Sequence, residues 1–151
     1  MKKSNVVAGA IAGTAAMTLF SYFLSGKKDK DFREPALLGK MVKRILPPSE
    51  NSFSEVAGWM MHGSMGLLFA WIYKRLPEIR KMYPDLPDEV FVGLANGVAG
   101  VLLWKFVFSI HPDPPEIDFK RFYQHLILAH VIFSTTTLSV LADEEELPAL
   151  E

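Results

Sequence analysis

The chain has 151 residues, of which half are apolar and 22% are charged, and its formal net charge is −1. The charges are unevenly spread, because residues 4–26, 56–73, 90–104 and 122–142 contain no Asp, Glu, Lys or Arg. Long uncharged runs are typical of membrane-spanning helices and argue against a soluble enzyme. The chain has no basic domain and no Gly-rich phosphate loop, so no nucleic acid partner is expected. The absence of cysteine excludes disulfides, thiolate metal sites and cysteine nucleophiles.

The uncharged runs predict the fold class and the domain organisation. A helix needs about 20 apolar residues to cross a bilayer. We therefore predict an all-α protein: a single membrane domain over residues 1–151, with transmembrane helices at about 5–25, 55–75, 89–110 and 121–142. All ten prolines lie outside these spans, and eight of the ten glycines lie inside them. Proline marks the connections between helices, whereas glycine allows membrane helices to approach closely.

The first loop contains an amphipathic segment at about 34–46. Its apolar residues repeat at helical spacing, and they are Leu37, Leu38, Met41, Val42, Ile45 and Leu46. Lys40, Lys43 and Arg44 lie on the opposite side, where they could meet anionic lipid headgroups. The pattern predicts an interfacial helix lying flat on the bilayer. A lid folded over the bundle would bury the same stripe and remains an alternative.

The distribution of Lys and Arg gives a weak indication of orientation. The first and third loops and their flanks carry nine of these residues, and the opposite side carries six. Cytoplasmic loops are enriched in Lys and Arg, so we predict that the first and third loops are cytoplasmic.

Small residues line one side of each of the first three spans. The glycines concerned are Gly9 and Gly13 in the first span, Gly58 and Gly66 in the second, and Gly93, Gly97 and Gly100 in the third. Such stripes are typical of helix-packing surfaces. They predict close contacts within the bundle or between copies in a homo-oligomer, and a substrate groove is the alternative.

Three polar residues within the spans form a candidate intramembrane site. His62 lies between Gly58 and Gly66, Asn96 lies beside the glycine stripe of the third span, and His130 lies in the fourth span. His125 is about 140° away from His130 around the helix axis, given about 100° per residue. Two histidines on neighbouring helices could relay protons or hold a substrate. Alternatively, they are neutral groups hydrogen-bonded across the bundle.

Metal and cofactor sites have less support in the sequence. His62 and His130 could be axial ligands of a haem, but no attachment motif accompanies them. A cation could bind in the third loop, near His111, Asp113, Glu116 and Asp118. That loop is rich in proline, which favours an ordinary surface loop. We therefore predict no metal site and no cofactor, with haem as the alternative.

Three segments carry a resemblance to a known group of proteins. They are Gly9-Ala-Ile-Ala-Gly13-Thr-Ala-Ala-Met17, Gly58-Trp-Met-Met-His62 with Gly66 and Phe69, and Leu128-Ala-His130-Val-Ile-Phe133. Together they resemble YagU-type and related uncharacterised small bacterial inner-membrane proteins. The resemblance implies a multi-pass, four-helix inner-membrane protein of unknown biochemical activity, with a loose link to acid tolerance in one branch. It implies no catalytic residues.

These observations lead to three hypotheses about function. The first is a structural or accessory helix bundle that is not an enzyme, since the uncharged runs within the spans contain no carboxylate and no Ser with an evident His and acid. The second is a small transporter or proton-conducting protein that uses His62 and His130. The third is a haem-binding redox subunit.

Overall fold

Five helices account for nearly all of the residues that the structure describes. A computed structural model of the chain describes residues 6–28, 32–46, 50–75 and 89–146. The helices are α1 (Val6–Lys28), α2 (Glu34–Ile45), α3 (Asn51–Tyr73), α4 (Glu89–Ile110) and α5 (Phe119–Glu146). Within these ranges there is no strand, and the all-helical prediction is confirmed.

Three of the helices are long and apolar enough to cross a membrane. The membrane-compatible segments are Val6–Ser25, Glu89–Ile110 and Phe119–Ala142. They correspond to the first, third and fourth predicted spans. At 23 residues α3 is also long enough to cross a bilayer, but it contains three glycines and His62. These residues lower its hydropathy, and α3 is not among the three.

The four long helices run in alternating directions. Near the start of α1, Gly9 meets Thr137 and Leu141 near the end of α5. Near the end of α1, Ser21 contacts His125 near the start of α5. Helix α5 packs against α1 on one side and α4 on the other, and α3 packs against α1 and α2. Helix α5 is therefore the central element of the bundle.

The glycine stripes face neighbouring helices. At all seven glycines assigned to packing, an added Cβ atom would lie within 3.4 Å of another part of the chain. At Gly97 the nearest atom is Ile127 Cα at 2.8 Å, and at Gly93 it is Val131 Cα at 2.7 Å. Both neighbours are backbone atoms of α5, so a side chain could not be accommodated by a rotamer change. The missing side chains allow α4 and α5 to pack backbone to backbone.

Helix α2 lies across one end of the bundle, with its apolar side against protein. Leu37 and Met41 are buried in a cluster that includes Phe32, Trp104, Phe108, Phe122 and Leu126. The stripe therefore packs mainly on the bundle, in the lid arrangement, rather than flat on lipid. Only its last residues, Ile45 and Leu46, remain about half exposed.

Polar contacts hold the exposed side of α2. Arg44 forms an ion pair of 3.0 Å with Asp113 and donates to the carbonyl oxygens of Asp113 and Pro114 in the loop between α4 and α5. Lys43 donates to the side-chain oxygen of Asn51 at the start of α3. Lys43 and Arg44, which were assigned to lipid headgroups, thus also have partners in the protein.

Candidate functional site

A carboxylate, an imidazole and a hydroxyl group meet under helix α2. Glu34, in the first turn of α2, is 2% exposed although it is an acidic residue. Its Oε1 lies 3.4 Å from His125 Nε2 on α5 and 3.1 Å from Ser21 Oγ on α1. Ser21 Oγ also lies 2.9 Å from His125 Nε2 and 3.0 Å from the carbonyl oxygen of Met17. Three helices therefore contribute to one buried polar cluster.

Two phenylalanines fix the ring of His125. The rings of Phe20 and Phe32 stack on the imidazole at centroid distances of 5.2 and 5.4 Å. Both rings are nearly parallel to the imidazole, and His125 is buried. Its two ring nitrogens, at the ring edge, are the atoms that can exchange protons. Glu34 and Ser21 occupy that edge at Nε2, and His125 Nδ1 has no hydrogen-bond partner among the described residues.

The cluster differs from a Ser-His-acid catalytic triad. In such a triad the acid binds the imidazole nitrogen that is remote from the serine, where it fixes the tautomer. Here Glu34 and Ser21 share Nε2, and the remote nitrogen is unpartnered. The arrangement suits sharing of a proton between Glu34 and His125 better than activation of Ser21.

The second carboxylate oxygen of Glu34 is also unpartnered. Glu34 Oε2 is buried and has no hydrogen-bond partner within the described part of the chain. Buried polar atoms are nearly always paired, and burying a carboxylate without full compensation is costly. An oxygen in this position is available to a proton, a water molecule or a ligand.

The two histidines singled out from the sequence lie on the same cavity. His62 Nε2 is 3.1 Å from the Thr18 hydroxyl of α1. His130 Nδ1 lies 2.8 Å from the carbonyl oxygen of Leu126, so this nitrogen carries the proton and donates it. In the neutral ring, His130 Nε2 is then an acceptor. The imidazole of His130 also packs directly against Gly100.

The cavity between these residues has a volume of about 90 Å³ and is lined by all five helices. Glu34, His62 and His130 contribute its polar groups. Most of the remaining wall is apolar and includes Phe69 and Trp104. The cavity thus combines a buried acid and two imidazoles with hydrocarbon and aromatic surfaces.

The cavity lies between two helices that hardly touch each other. Helix α3 packs on α1 and α2, and α4 packs on α5, whereas α3 and α4 have no substantial contact in the described residues. Both helices nevertheless line the cavity, through residues that include Met65 and Leu103. Leu103 is 42% exposed. In a bilayer this gap between α3 and α4 would face the lipid.

Asn96, the third residue of the predicted polar site, does not line this cavity. It is buried on α4 about one turn from Gly100, and it lies beside Tyr73 and Ser134. Ser134 donates a hydrogen bond of 2.7 Å to the carbonyl oxygen of Glu89. The structure therefore brings His62 and His130 together and places Asn96 nearer the opposite end of the bundle.

Polar side chains of the third loop form hydrogen bonds and ion pairs within the protein. Asp113 N donates to His111 Nδ1, so His111 Nε2 carries the proton and donates to the carbonyl oxygen of Met41. Asp113 pairs with Arg44, and Asp118 pairs with Arg121. Within the described ranges, no three His, Asp or Glu side chains are grouped so that they could hold a metal ion.

Haem ligation does not fit the arrangement of His62 and His130. A cavity of about 150 Å³ holds a single benzene, and the space here is about 90 Å³. The backbone of Gly100 also occupies the space beside the His130 ring. A macrocycle between the two imidazoles would require α4 to move away from α5.

Glu34 and His125 were not among the predicted site residues, although the sequence carries a signal for Glu34. Glu34 falls on the apolar stripe of α2, at helical spacing from Leu37 and Met41, and a carboxylate on such a stripe is unusual. His125 lies one turn from Ala129, which is fully buried. A central helix buries more than one side, so both His125 and His130 face protein.

Comparisons with known proteins give no indication of function. No family model, no curated protein and no solved structure matches the chain. The resemblance to YagU-type proteins therefore stays a prediction.

Proposed function

We propose that the protein is a small multi-pass membrane transport protein that moves protons through Glu34 and the buried histidines. The observation that carries this proposal is the Glu34 carboxylate, which is buried beside His125 and has one oxygen without a partner among the described residues. Ionisable residues within a membrane bundle are expensive, and they commonly mark ion or proton pathways.

The energetic cost of the site argues against a purely structural role. A buried ion pair is often no more stabilising than apolar residues of similar volume, because both charges lose their hydration. An accessory bundle could use leucine at Glu34 and phenylalanine at His125 and gain stability. The polar pair therefore supports a role that needs a titratable group.

Polar groups extend through the bundle beyond Glu34. The Glu34 and His125 pair lies at the end covered by α2, and His62 and His130 lie deeper on the cavity. Asn96, Tyr73 and Ser134 lie farther towards the other end. Imidazoles can accept a proton at one nitrogen and release one from the other, which suits them to a relay. This succession of groups supports proton movement along the bundle.

Proton movement can be measured in liposomes. We expect purified protein to carry protons into vesicles that contain a pH-sensitive dye when a K⁺ diffusion potential is imposed with valinomycin. The Glu34→Gln variant should reduce this flux to the level of protein-free vesicles, because an amide cannot bind and release the proton. Glutamine has nearly the same shape, so the bundle should stay folded.

The matched control for this experiment is Glu55→Gln. Glu55 is exposed near the start of α3, outside the cavity, and its replacement should leave the flux unchanged. A wild-type flux no greater than that of empty vesicles would contradict the proposal and would favour an accessory bundle.

We also propose that α3 crosses the membrane and completes a four-helix membrane bundle. Residues 56–73 carry no charge. Large apolar side chains cover the outer side of α3, including Met60, Leu67 and Trp71. Its alternating direction relative to α1 supports the same topology. By the distribution of Lys and Arg, we assign the end covered by α2 to the cytoplasmic side of a bacterial inner membrane.

Cysteine labelling separates four spans from three. The native chain lacks cysteine, so single cysteines at Ser4 and Asp143 would be the only reactive thiols. With four spans, an impermeant maleimide should label both positions from the same side of the membrane. If α3 does not cross, the two positions will label from opposite sides.

A further inference from the structure

We propose that the cavity between α3 and α4 binds a lipophilic organic cation, in which an ammonium group meets Glu34 and an alkyl chain leaves the bundle between the two helices. This inference names the ligand class for the proposed transport site and rests on that proposal.

The charge of the ligand follows from Glu34. An ionised carboxylate is only an acceptor of hydrogen bonds, and Glu34 Oε2 has no donor among the described residues. An ammonium group supplies both a donor and the compensating charge. A tertiary ammonium would retain the charge and one N–H donor. A quaternary ammonium would retain the charge without a donor. A neutral hydrocarbon would leave the oxygen unpartnered, and it would gain nothing from the acid.

The walls of the cavity also favour a cation. The described lining residues include no Lys and no Arg. With His62 and His130 neutral, an anion would therefore face the carboxylate without a counter-charge. Phe69 and Trp104 present aromatic surfaces to the cavity. Cations are attracted to the faces of aromatic rings, most strongly to tryptophan, and the attraction is greater where water is excluded.

The size and opening of the cavity indicate the shape of the ligand. A volume of about 90 Å³ accommodates a small head group of a few heavy atoms, not a bulky ring system. The gap between α3 and α4 has apolar residues on both sides, Met65 and Leu103 among them. An alkyl chain in this gap would lie against hydrocarbon on every side. A single-chain amine could therefore enter directly from the bilayer.

Binding of the cation can be measured from the fluorescence of Trp104. The chain has three tryptophans, and Trp104 lines the cavity while Trp59 and Trp71 are exposed outside it. A variant with Trp59→Phe and Trp71→Phe leaves Trp104 as the only indole. In nanodiscs of zwitterionic lipid, a decylammonium probe with bromine on its alkyl chain should quench Trp104 in a saturable manner. The same chain carrying a sulfate or an alcohol head group should quench it only in proportion to its membrane concentration.

Replacement of Glu34 tests the role of the carboxylate. In the tryptophan-reduced background, Glu34→Gln should weaken binding of the cation by about tenfold or more, as expected for loss of a charge-assisted contact. Glu55→Gln should leave it unchanged. Equal quenching by the three head groups, or cation binding unaffected by Glu34→Gln, would overturn the inference and indicate partition into lipid only. The comparison of head groups requires no change at Glu34, so it stands even if that variant does not fold.

The binding and flux experiments fail independently. The quenching measurement is made at equilibrium without a gradient. Saturable, Glu34-dependent binding without proton flux would support the cation site and contradict the transport proposal. Proton flux without selective quenching would overturn the cation site and leave the transport proposal in place.

Discussion

A leucine at Gly58 is expected to lower the free energy of unfolding by about 3 kcal/mol or more, because it would force α2 away from α3. A Cβ atom at Gly58 would lie 2.6 Å from Gly39 N and 3.0 Å from Gly39 Cα, with the carbonyl oxygen of Pro35 nearer still. All three are backbone atoms, and none can rotate aside. The added side chain can therefore be accommodated only by moving a helix.

Gly63, on the same helix, provides the matched control. An added Cβ at Gly63 meets no other part of the described chain within 4 Å. Gly63→Leu should therefore leave stability unchanged or raise it slightly, since leucine favours helix more than glycine does. Reversible unfolding in bicelles would compare the two variants. Equal losses at the two positions would show that close packing of α2 on α3 does not stabilise the fold.

Replacing His125 by leucine should cost about 3–5 kcal/mol of stability, because it removes the partner of a buried carboxylate. Among the described residues, Glu34 would then keep only the Ser21 hydroxyl as a hydrogen-bond donor. If the loss arises from the uncompensated charge, adding Glu34→Gln should restore much of it. The double variant should thus be more stable than His125→Leu alone, as measured by a double-mutant cycle of unfolding free energies.

His111 controls for the general effect of losing a buried imidazole. It lies at the same end of the bundle and is 7% exposed, but it donates to the carbonyl oxygen of Met41 rather than to an acid. His111→Leu should cost about 1–3 kcal/mol, and Glu34→Gln should not rescue it. If the costs at His125 and Glu34 simply add, the two side chains are not energetically coupled.

The helices and their order could be predicted from the sequence because their signals are local. Prolines and charges mark the connections, and long uncharged runs mark α1, α4 and α5. The position of α2 could not be predicted uniquely. Its apolar stripe could have been buried by lipid or by protein, and only the tertiary structure shows Leu37 and Met41 against Trp104 and Phe122.

Only some residues of the site could be predicted, because the others are identified by tertiary contacts and not by local sequence. His62 and His130 stand out as ionisable residues within uncharged runs. Glu34 lies close to a charged stretch of the first loop, where an acidic residue is normally exposed to solvent. Its burial depends on Ser21 and His125, which are distant in sequence and come together only when α1 and α5 pack.

The placement of Glu34 on a short helix has a consequence for biosynthesis. A carboxylate at the centre of a spanning segment opposes insertion of that segment into the membrane. Helix α2 has 12 residues, too few to span, and its pocket includes residues of α5, which is synthesised after α1 to α4. We therefore expect Glu34 to stay at the water interface until the helices that form its pocket are in place. The protein acquires a buried acid without its insertion machinery having to transfer one into lipid.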